Sequence, residues 1–162
     1  MTNIGIIGYG IVGKGVEHAF RGNNIQIHDR YMPLASLEEV VNLSEFIMVC
    51  VPTPYNRNGR IDLEILDGVV DGIASLADRT EKIAIIRSTV VPGTTRNYSE
   101  EYPYTKFCCN PSFLTQSRYL EDSANPDKIV IGADDDQIGS RVEQLYRGRF
   151  PETPLFRTGL TA

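Results

Sequence analysis

The sequence predicts an α/β fold: a doubly wound, mostly parallel sheet with helices on both faces. Three observations carry that prediction. Apolar runs of strand length alternate with helical patterns along the whole chain of 162 residues. The first apolar run leads into a glycine-rich turn. Several later runs end in polar loops rich in proline, threonine and glycine, at the carboxyl edge where open α/β sheets bind ligands.

The first element, Asn3-Ile4-Gly5-Ile6-Ile7, reads as a buried strand. Gly8-Tyr9-Gly10-Ile11-Val12-Gly13 follows and fits G-x-G-x-x-G. Gly8 permits a tight turn, Gly10 lets backbone approach a pyrophosphate, and Gly13 lets the next helix pack close to the strand. The helix N-terminus offers free N–H groups and a partial positive charge to phosphates. The turn, between an apolar strand and a helical pattern, therefore points to a dinucleotide; the bland alternative is a strand–helix turn that binds nothing. The helix is predicted from about Ile11 to Arg21, ended by Gly22-Asn23-Asn24. Ile25-Gln26-Ile27-His28 alternates as a short strand. Asp29 follows 21 residues after Gly8, placed to accept hydrogen bonds from adenosine ribose hydroxyls and to repel a 2′-phosphate. NAD is favoured over NADP, although Arg30 next door could pair with a phosphate.

Ser36–Leu43 is predicted as a short helix, with Ser36 as N-cap and Glu39 three residues on. Phe46–Val51 is a continuous apolar run suited to a central parallel strand. It ends in the loop Pro52-Thr53-Pro54-Tyr55-Asn56-Arg57-Asn58-Gly59. Asp62 then caps a helix to about Ala77, with Leu66, Val69, Val70, Ile73, Leu76 and Ala77 as its apolar stripe. Lys82–Arg87 is the next strand, and Ser88-Thr89-Val90-Val91-Pro92-Gly93-Thr94-Thr95 leaves it, with a short helix starting at Thr94 or Thr95. Thr105–Cys109 and Asp127–Gly132 are strands, and Asn110-Pro111-Ser112-Phe113-Leu114 leaves the first of them. Asp134–Arg147 is a helix whose opening acids, Asp134, Asp135 and Asp136, suit its positive end. Leu155-Phe156-Arg157 is a last edge strand.

Composition narrows the function. The length suits one domain able to bury about 70% of its unfolded surface. A net charge of −5 without any Lys/Arg-rich run argues against nucleic acid. No apolar run approaches a membrane span, and the chain opens directly into a strand without a basic leader, so a soluble cytoplasmic protein is expected. Three cysteines form no disulfide framework. Cys50 reads as buried packing, and Cys108 and Cys109 point to opposite faces of a strand. His18 and His28 read as structural, and no cluster has metal-ligand spacing.

Four stretches, in order, resemble the NAD-binding domain of the UDP-glucose/GDP-mannose dehydrogenase family. They are the Gly8–Gly13 turn; Val51-Pro52-Thr53-Pro54 with Gly59 and Asp62-Leu63; Ser88 to Thr95; and Asn110 to Leu114 with Asn125-Pro126-Asp127-Lys128-Ile129-Val130-Ile131-Gly132. The resemblance covers nearly the whole chain, 1–162, and implies a Rossmann-like fold. It implies oxidation of a nucleotide sugar's C6 alcohol to a carboxylate, in two NAD-dependent steps through a thiohemiacetal on a cysteine. It also implies roles. Gly8, Tyr9, Gly10, Ile11, Val12, Gly13 and Asp29 would hold the adenosine half of NAD. Val51, Pro52, Thr53 and Pro54 would border the cofactor cleft. Ser88 and Thr89 would sit near the nicotinamide, with Thr89 positioning the catalytic water. Phe113, Leu114, Thr115 and Gln116 would touch the nucleotide sugar, and Gln116 also the cofactor edge. Thr89 taken alone reads as a strand-end hydroxyl.

The departures carry equal weight. Ser112 stands where the family usually has an acid–base glutamate, and a serine hydroxyl is no general base near neutral pH without an activating neighbour. The family's Phe-Leu-Arg-Glu-Gly-Ser becomes Phe113-Leu114-Thr115-Gln116-Ser117-Arg118. The stretch between the second strand and Phe46 is short, as if a strand and helix were trimmed. Thr158-Gly159-Leu160-Thr161-Ala162 resembles the run before the family's long central helix, which bears a lysine and an asparagine and through which members usually dimerise. That helix and the later domain, with its nucleophilic cysteine and most of the sugar-nucleotide pocket, are expected outside this chain; Cys108 and Cys109 do not match the cysteine's motif. Two readings follow: the cofactor domain of a nucleotide-sugar 6-dehydrogenase, or a non-catalytic module that binds a dinucleotide or nucleotide sugar. A hydroxyacid-type dehydrogenase fits the Val-Pro-Thr-Pro and Asn-Pro-x-Phe-Leu stretches poorly.

Overall fold

The computed structural model describes residues 1–77 and 81–160, so Thr161 and Ala162 of the closing run lie outside it. Among the described residues, seven strands are interleaved with helices. The first half holds β1 (Asn3–Ile7), α1 (Ile11–Ala19), β2 (Asn24–His28), α2 (Leu37–Leu43), β3 (Phe46–Val49) and α3 (Glu64–Leu76). The second holds β4 (Ile83–Ile86), α4 (Thr94–Glu101), β5 (Lys106–Cys109), a 3-10 turn (Gln116–Arg118), α5 (Tyr119–Ala124), β6 (Ile129–Gly132), α6 (Asp136–Arg149) and β7 (Leu155–Thr158). The strands form one sheet in the order β2-β1-β3-β4-β5-β6-β7. The first five are mutually parallel. The order reverses between β1 and β3, since β1 leads to β2 on one side while β3 lies on the other. That reversal opens a crevice at their carboxyl ends.

Alternation along the strands sends side chains to two cores. Ile4 and Ile6 of β1 stand beside Phe46 and Met48 of β3, which stand beside Ile83 and Ile85 of β4. This face packs against Val16 and Phe20 near α1 and Val142, Tyr146 and Phe150 near α6. The opposite face, with Ile47, Val49, Ala84, Ile86 and Phe107, packs against Val40 and Val41 of α2, Leu66, Val70 and Ile73 of α3, and Tyr98 of α4. The predicted stripe of α3 is thus ordinary core. Cys108 joins the first core and its neighbour Phe107 the second.

Several predicted ends shift. The first helix stops at Ala19 rather than Arg21, because Phe20 turns out of helical geometry to enter the core. β3 ends at Val49 rather than Val51, although Cys50 still donates to the Ile7 carbonyl and both Cys50 and Val51 stay buried. Leu63 occupies the N-cap of α3, while the Asp62 carboxylate accepts the Glu64 N–H at 3.0 Å. The capping box of α2 forms as predicted, with Glu39 N–H donating to Ser36 Oγ at 3.2 Å and Ser36 N–H donating to Glu39 at 2.7 Å. Asp135 alone of the three opening acids caps α6, accepting from Gln137 and Ile138. Asp134 instead binds Arg96, and Asp136 binds Arg157.

The turn at Gln116–Arg118 and α5 have no counterpart in the sequence reading. They bury no residue fully, so no apolar stripe announces them. α5 lies against α1, where a Cβ on Gly15 would come within 2.3 Å of Ser123 Oγ. α5 packs on α1 and does not return the chain to the opposite sheet edge. The next strand therefore starts from the same edge, and β6 runs antiparallel to β5, with β7 parallel to β6.

Phe20 fixes α1 to α6 through edge-on contacts with Tyr146 and Phe150, at centroid distances of 5.4 and 6.0 Å. Phe20→Ala is expected to destabilise the chain by about 3–5 kcal/mol in urea unfolding. A loss below about 1 kcal/mol would show that the two helices do not depend on this ring.

Candidate functional site

The crevice begins at the end of β1. Gly8 takes a positive φ of 92°, and a Cβ there would lie 2.7 Å from the Cys50 carbonyl oxygen. The Gly8 N–H donates to the His28 carbonyl at 2.9 Å, and Cys50 N–H donates to Ile7 at 2.7 Å. The glycine turn is thereby wedged between the ends of β2 and β3. α1 then folds back so closely that a Cβ on Gly13 would stand 2.1 Å from the Gly8 carbonyl oxygen. Gly10, at the N-cap, has open space where a Cβ would be, and no side chain caps the helix. The first-turn N–H groups of α1 consequently face an approach that a phosphate could use.

Asp29 closes the other side. Its carboxylate accepts the Tyr9 N–H at 2.8 Å and the Tyr31 N–H at 2.9 Å. Those donors, Tyr9 first and then Tyr31, hold its pKa below the ordinary aspartate value. Two of about four lone-pair sites on the carboxylate are then committed to backbone. Asp29 both ties the glycine turn to β2 and keeps acceptor capacity toward the crevice. Tyr9 donates its phenol to Glu17, which with desolvation pushes the phenol up to about 12. His28 is fixed through Nδ1, 2.9 Å from the Ala35 carbonyl.

A cavity of about 520 Å³ occupies this crevice, between Gly8, Asp29, Val51, Pro52, Ile65 and Val69. One end is polar, at Asp29 and Arg30, and the other is apolar. The first residues of α3 were not read from the sequence as part of the site. Their signal was their position just after the Pro52–Gly59 loop at the same sheet edge.

The remaining predicted residues fall into two further groups. Thr53 Oγ1 donates to the Thr89 carbonyl at 2.6 Å, joining the loops after β3 and β4, and Pro54 is exposed beside them. Ser88 is buried and donates to the Val51 carbonyl at 2.7 Å, so its hydroxyl holds a loop together. Thr89 is exposed at the same edge. The other group lies past β5. Ser112 accepts from Arg87 Nη2 at 2.7 Å. Phe113 is half exposed, Leu114 lies beside it, and the Thr115 N–H donates to Asp122 at 2.7 Å. Gln116 sits in the exposed 3-10 turn and does not line the crevice cavity.

The cysteines offer no reactive thiol. Burial pushes Cys50 up to about 12, and burial also raises Cys108 and Cys109. A thiol held protonated is a poor nucleophile. Among the described residues no group of His, Cys, Asp and Glu could hold a metal ion. No described helix is long and apolar enough to cross a membrane.

A strand, a glycine turn, an uncapped helix N-terminus and a carboxylate at the next strand's end, all at a switch point, define a dinucleotide-binding α/β domain. The sequence profile of the UDP-glucose/GDP-mannose dehydrogenase family, NAD-binding domain, matches residues 23–149, beginning beyond the glycine turn. The chain belongs to this family and is its NAD-binding domain. It is similar to the GDP-mannose 6-dehydrogenase of Azotobacter vinelandii, 33% identical over 137 residues that cover 77% of this chain and 31% of that one. The Pseudomonas aeruginosa GDP-mannose 6-dehydrogenase is 32% identical over 118 residues, covering 64% and 27%. The fold also matches a solved UDP-glucose dehydrogenase from Pyrobaculum islandicum, with a TM-score of 0.84 and 25% identity over 99% of this chain and 47% of that one. The chain thus spans about a third of the curated relatives' length.

Asp29 also sets a pH dependence. Its folded pKa is lowered, so its contribution is fully present above the ordinary value of 3.8 and is lost as pH falls through the lower folded value. Asp29→Asn is expected to lower stability at neutral pH and to flatten the acid limb of a stability–pH profile below about pH 4. An acid limb identical to that of the parent chain would separate Asp29 from the glycine turn.

Proposed function

We propose that this chain is the cofactor wall of an NAD-dependent dehydrogenase that, in its complete form, oxidises the C6 alcohol of a nucleotide sugar to a carboxylate. The switch-point cavity between the glycine turn, Asp29 and Pro52 is the observation that carries the reading. Its residues fit NAD. The open space at Gly10 and the uncapped α1 suit the pyrophosphate, the spare Asp29 lone pairs suit ribose hydroxyls, and Val51, Pro52 and Val69 suit a flat apolar ring. NAD supplies the hydride acceptor. Thr89, exposed beside this edge, orients the water consumed in the reaction, and Ser88 holds the loop that carries it. Phe113, Leu114, Thr115 and Gln116 border the nucleotide sugar. UDP-glucose and GDP-mannose are the substrates to test first, since relatives named for both share the fold.

A second reading, a binding module without turnover, is favoured by Ser112. Its Oγ accepts from a guanidinium, which makes the hydroxyl still less basic. With no general base there and no reactive thiol among Cys50, Cys108 and Cys109, this chain alone is expected to bind NADH and not to reduce NAD with either nucleotide sugar. Titration calorimetry without heat at millimolar NADH would overturn the cofactor assignment. Steady NADH production by this chain with UDP-glucose or GDP-mannose would overturn the second expectation.

The same cavity predicts cofactor choice. Asp29→Ala is expected to weaken NAD binding and to narrow the preference over NADP. Unchanged affinities for both cofactors would remove Asp29 from the ribose.

A further inference from the structure

Arg87 follows β4 directly and turns its guanidinium toward the face covered by α1 and α6. Nη1 donates to the Asn110 side-chain carbonyl and, at 2.6 Å, to the Tyr146 hydroxyl. Nη2 donates to Ser112 Oγ at 2.7 Å. Every one of these acceptors is neutral. Nε is buried and has no hydrogen-bond partner. Arg96, Arg118, Arg141, Arg147 and Arg157 each meet a carboxylate, whereas Arg87 meets none among the described residues. Arg87 is partly buried, and a cation partly withdrawn from water without a counter-charge gains when an anion joins it.

The surroundings select that anion. Arg87 and Ser112 line a cavity of about 50 Å³ with Phe113, Lys128, Asp122 and Tyr146. Lys128 brings a second positive charge to the exposed rim, its Nζ 4.6 Å from the centre of the Phe113 ring. Asp122, the acid in the lining, is already engaged by the Thr115 N–H at 2.7 Å and by Arg118 at 3.5 Å. The Ser112 hydroxyl accepts from Arg87, and its own proton has no acceptor among the described residues. A cation, an unused hydroxyl donor and a space of this size suit a small planar oxyanion.

We propose that the cavity between Arg87, Ser112 and Lys128 is a binding site for a small carboxylate. Arg87 Nη2 and the Ser112 hydroxyl hold its oxygens, and Lys128 screens it at the rim. The site shares no lining residue with the crevice cavity, although Phe113 and Leu114, which border the nucleotide sugar in the proposed function, also line this site. It does not depend on cofactor binding or turnover.

The probe is sodium formate, titrated at fixed ionic strength into the isotope-labelled chain and followed by NMR at the Ser112 amide and the Arg87 side-chain N–H. Saturable shifts at these signals are expected. Arg87→Gln should weaken the apparent affinity by about tenfold or more, the effect of losing a charge-assisted hydrogen bond. Ser112→Glu should abolish formate binding with the rest of the spectrum retained, because the chain's own carboxylate then meets Arg87. Shifts that grow linearly without saturation, or formate affinity unchanged in Ser112→Glu, would overturn the site. Inorganic phosphate binding in preference to formate would overturn its assignment to carboxylates.

Discussion

A helix can leave the carboxyl end of β1 and fold straight back over it only because nothing stands between Gly13 and the Gly8 carbonyl. A methyl group at Gly13 would sit 2.1 Å from that oxygen, a distance no atom pair tolerates. Much follows from this approach. It brings Val16 and Phe20 down onto Ile4, Ile6 and Met48, and it seats Phe20 against Tyr146 and Phe150 of the last helix. It also places the uncapped N-terminus of α1 at the carboxyl edge of the sheet, with open space at Gly10. Core packing and the placement of an uncapped helix start at this edge therefore have a common origin in one backbone contact.

Asp29 makes that edge rigid. A glycine turn gains freedom from its lack of side chains and pays for it in entropy. Two N–H groups, from Tyr9 within the turn and Tyr31 beyond β2, converge on one carboxylate and restrict that freedom. The wedge between the His28 carbonyl and Cys50 restricts it further. An ordered turn costs less to organise around a ligand, so the carboxylate read from sequence as a ribose partner has a structural part as well, in ordering the glycine turn.

The sheet was legible because its strands are short apolar runs and its loops are rich in proline and glycine. Buried strands such as Phe46–Val49 and Ile83–Ile86 admit little else. The helix at Tyr119–Ala124 was not legible. It has six residues and no fully buried side chain, and it is held by its fit against Gly15, a tertiary contact that no local pattern reports. The reversal of β6 beyond it was hidden as well, since an antiparallel pair at the sheet edge leaves no pattern within the strand itself. At the crevice, the glycines and Asp29 could be read because each backbone requirement admits few residue types. The contribution of α3 could not, since the apolar character of Val69 is equally explained by packing and a single exposed Ile65 points to no partner. Arg87 was read only as the end of a strand, and its partners lie 23, 25 and 59 residues away.

The residue at position 112 decides what chemistry the frame around Arg87 can offer. A carboxylate beside Arg87 would neutralise the guanidinium and could exchange protons with a bound substrate. A hydroxyl does neither. It receives a hydrogen bond from the cation, which withdraws electron density from its oxygen and leaves its own proton seeking an acceptor. The loop is still anchored, because Asn110 bridges Arg87, Tyr146 and the Val130 carbonyl whatever residue follows at Ser112. The frame therefore persists while its charge balance does not. A hydroxyl at this position, beside an unneutralised cation, suits anion recognition rather than proton transfer.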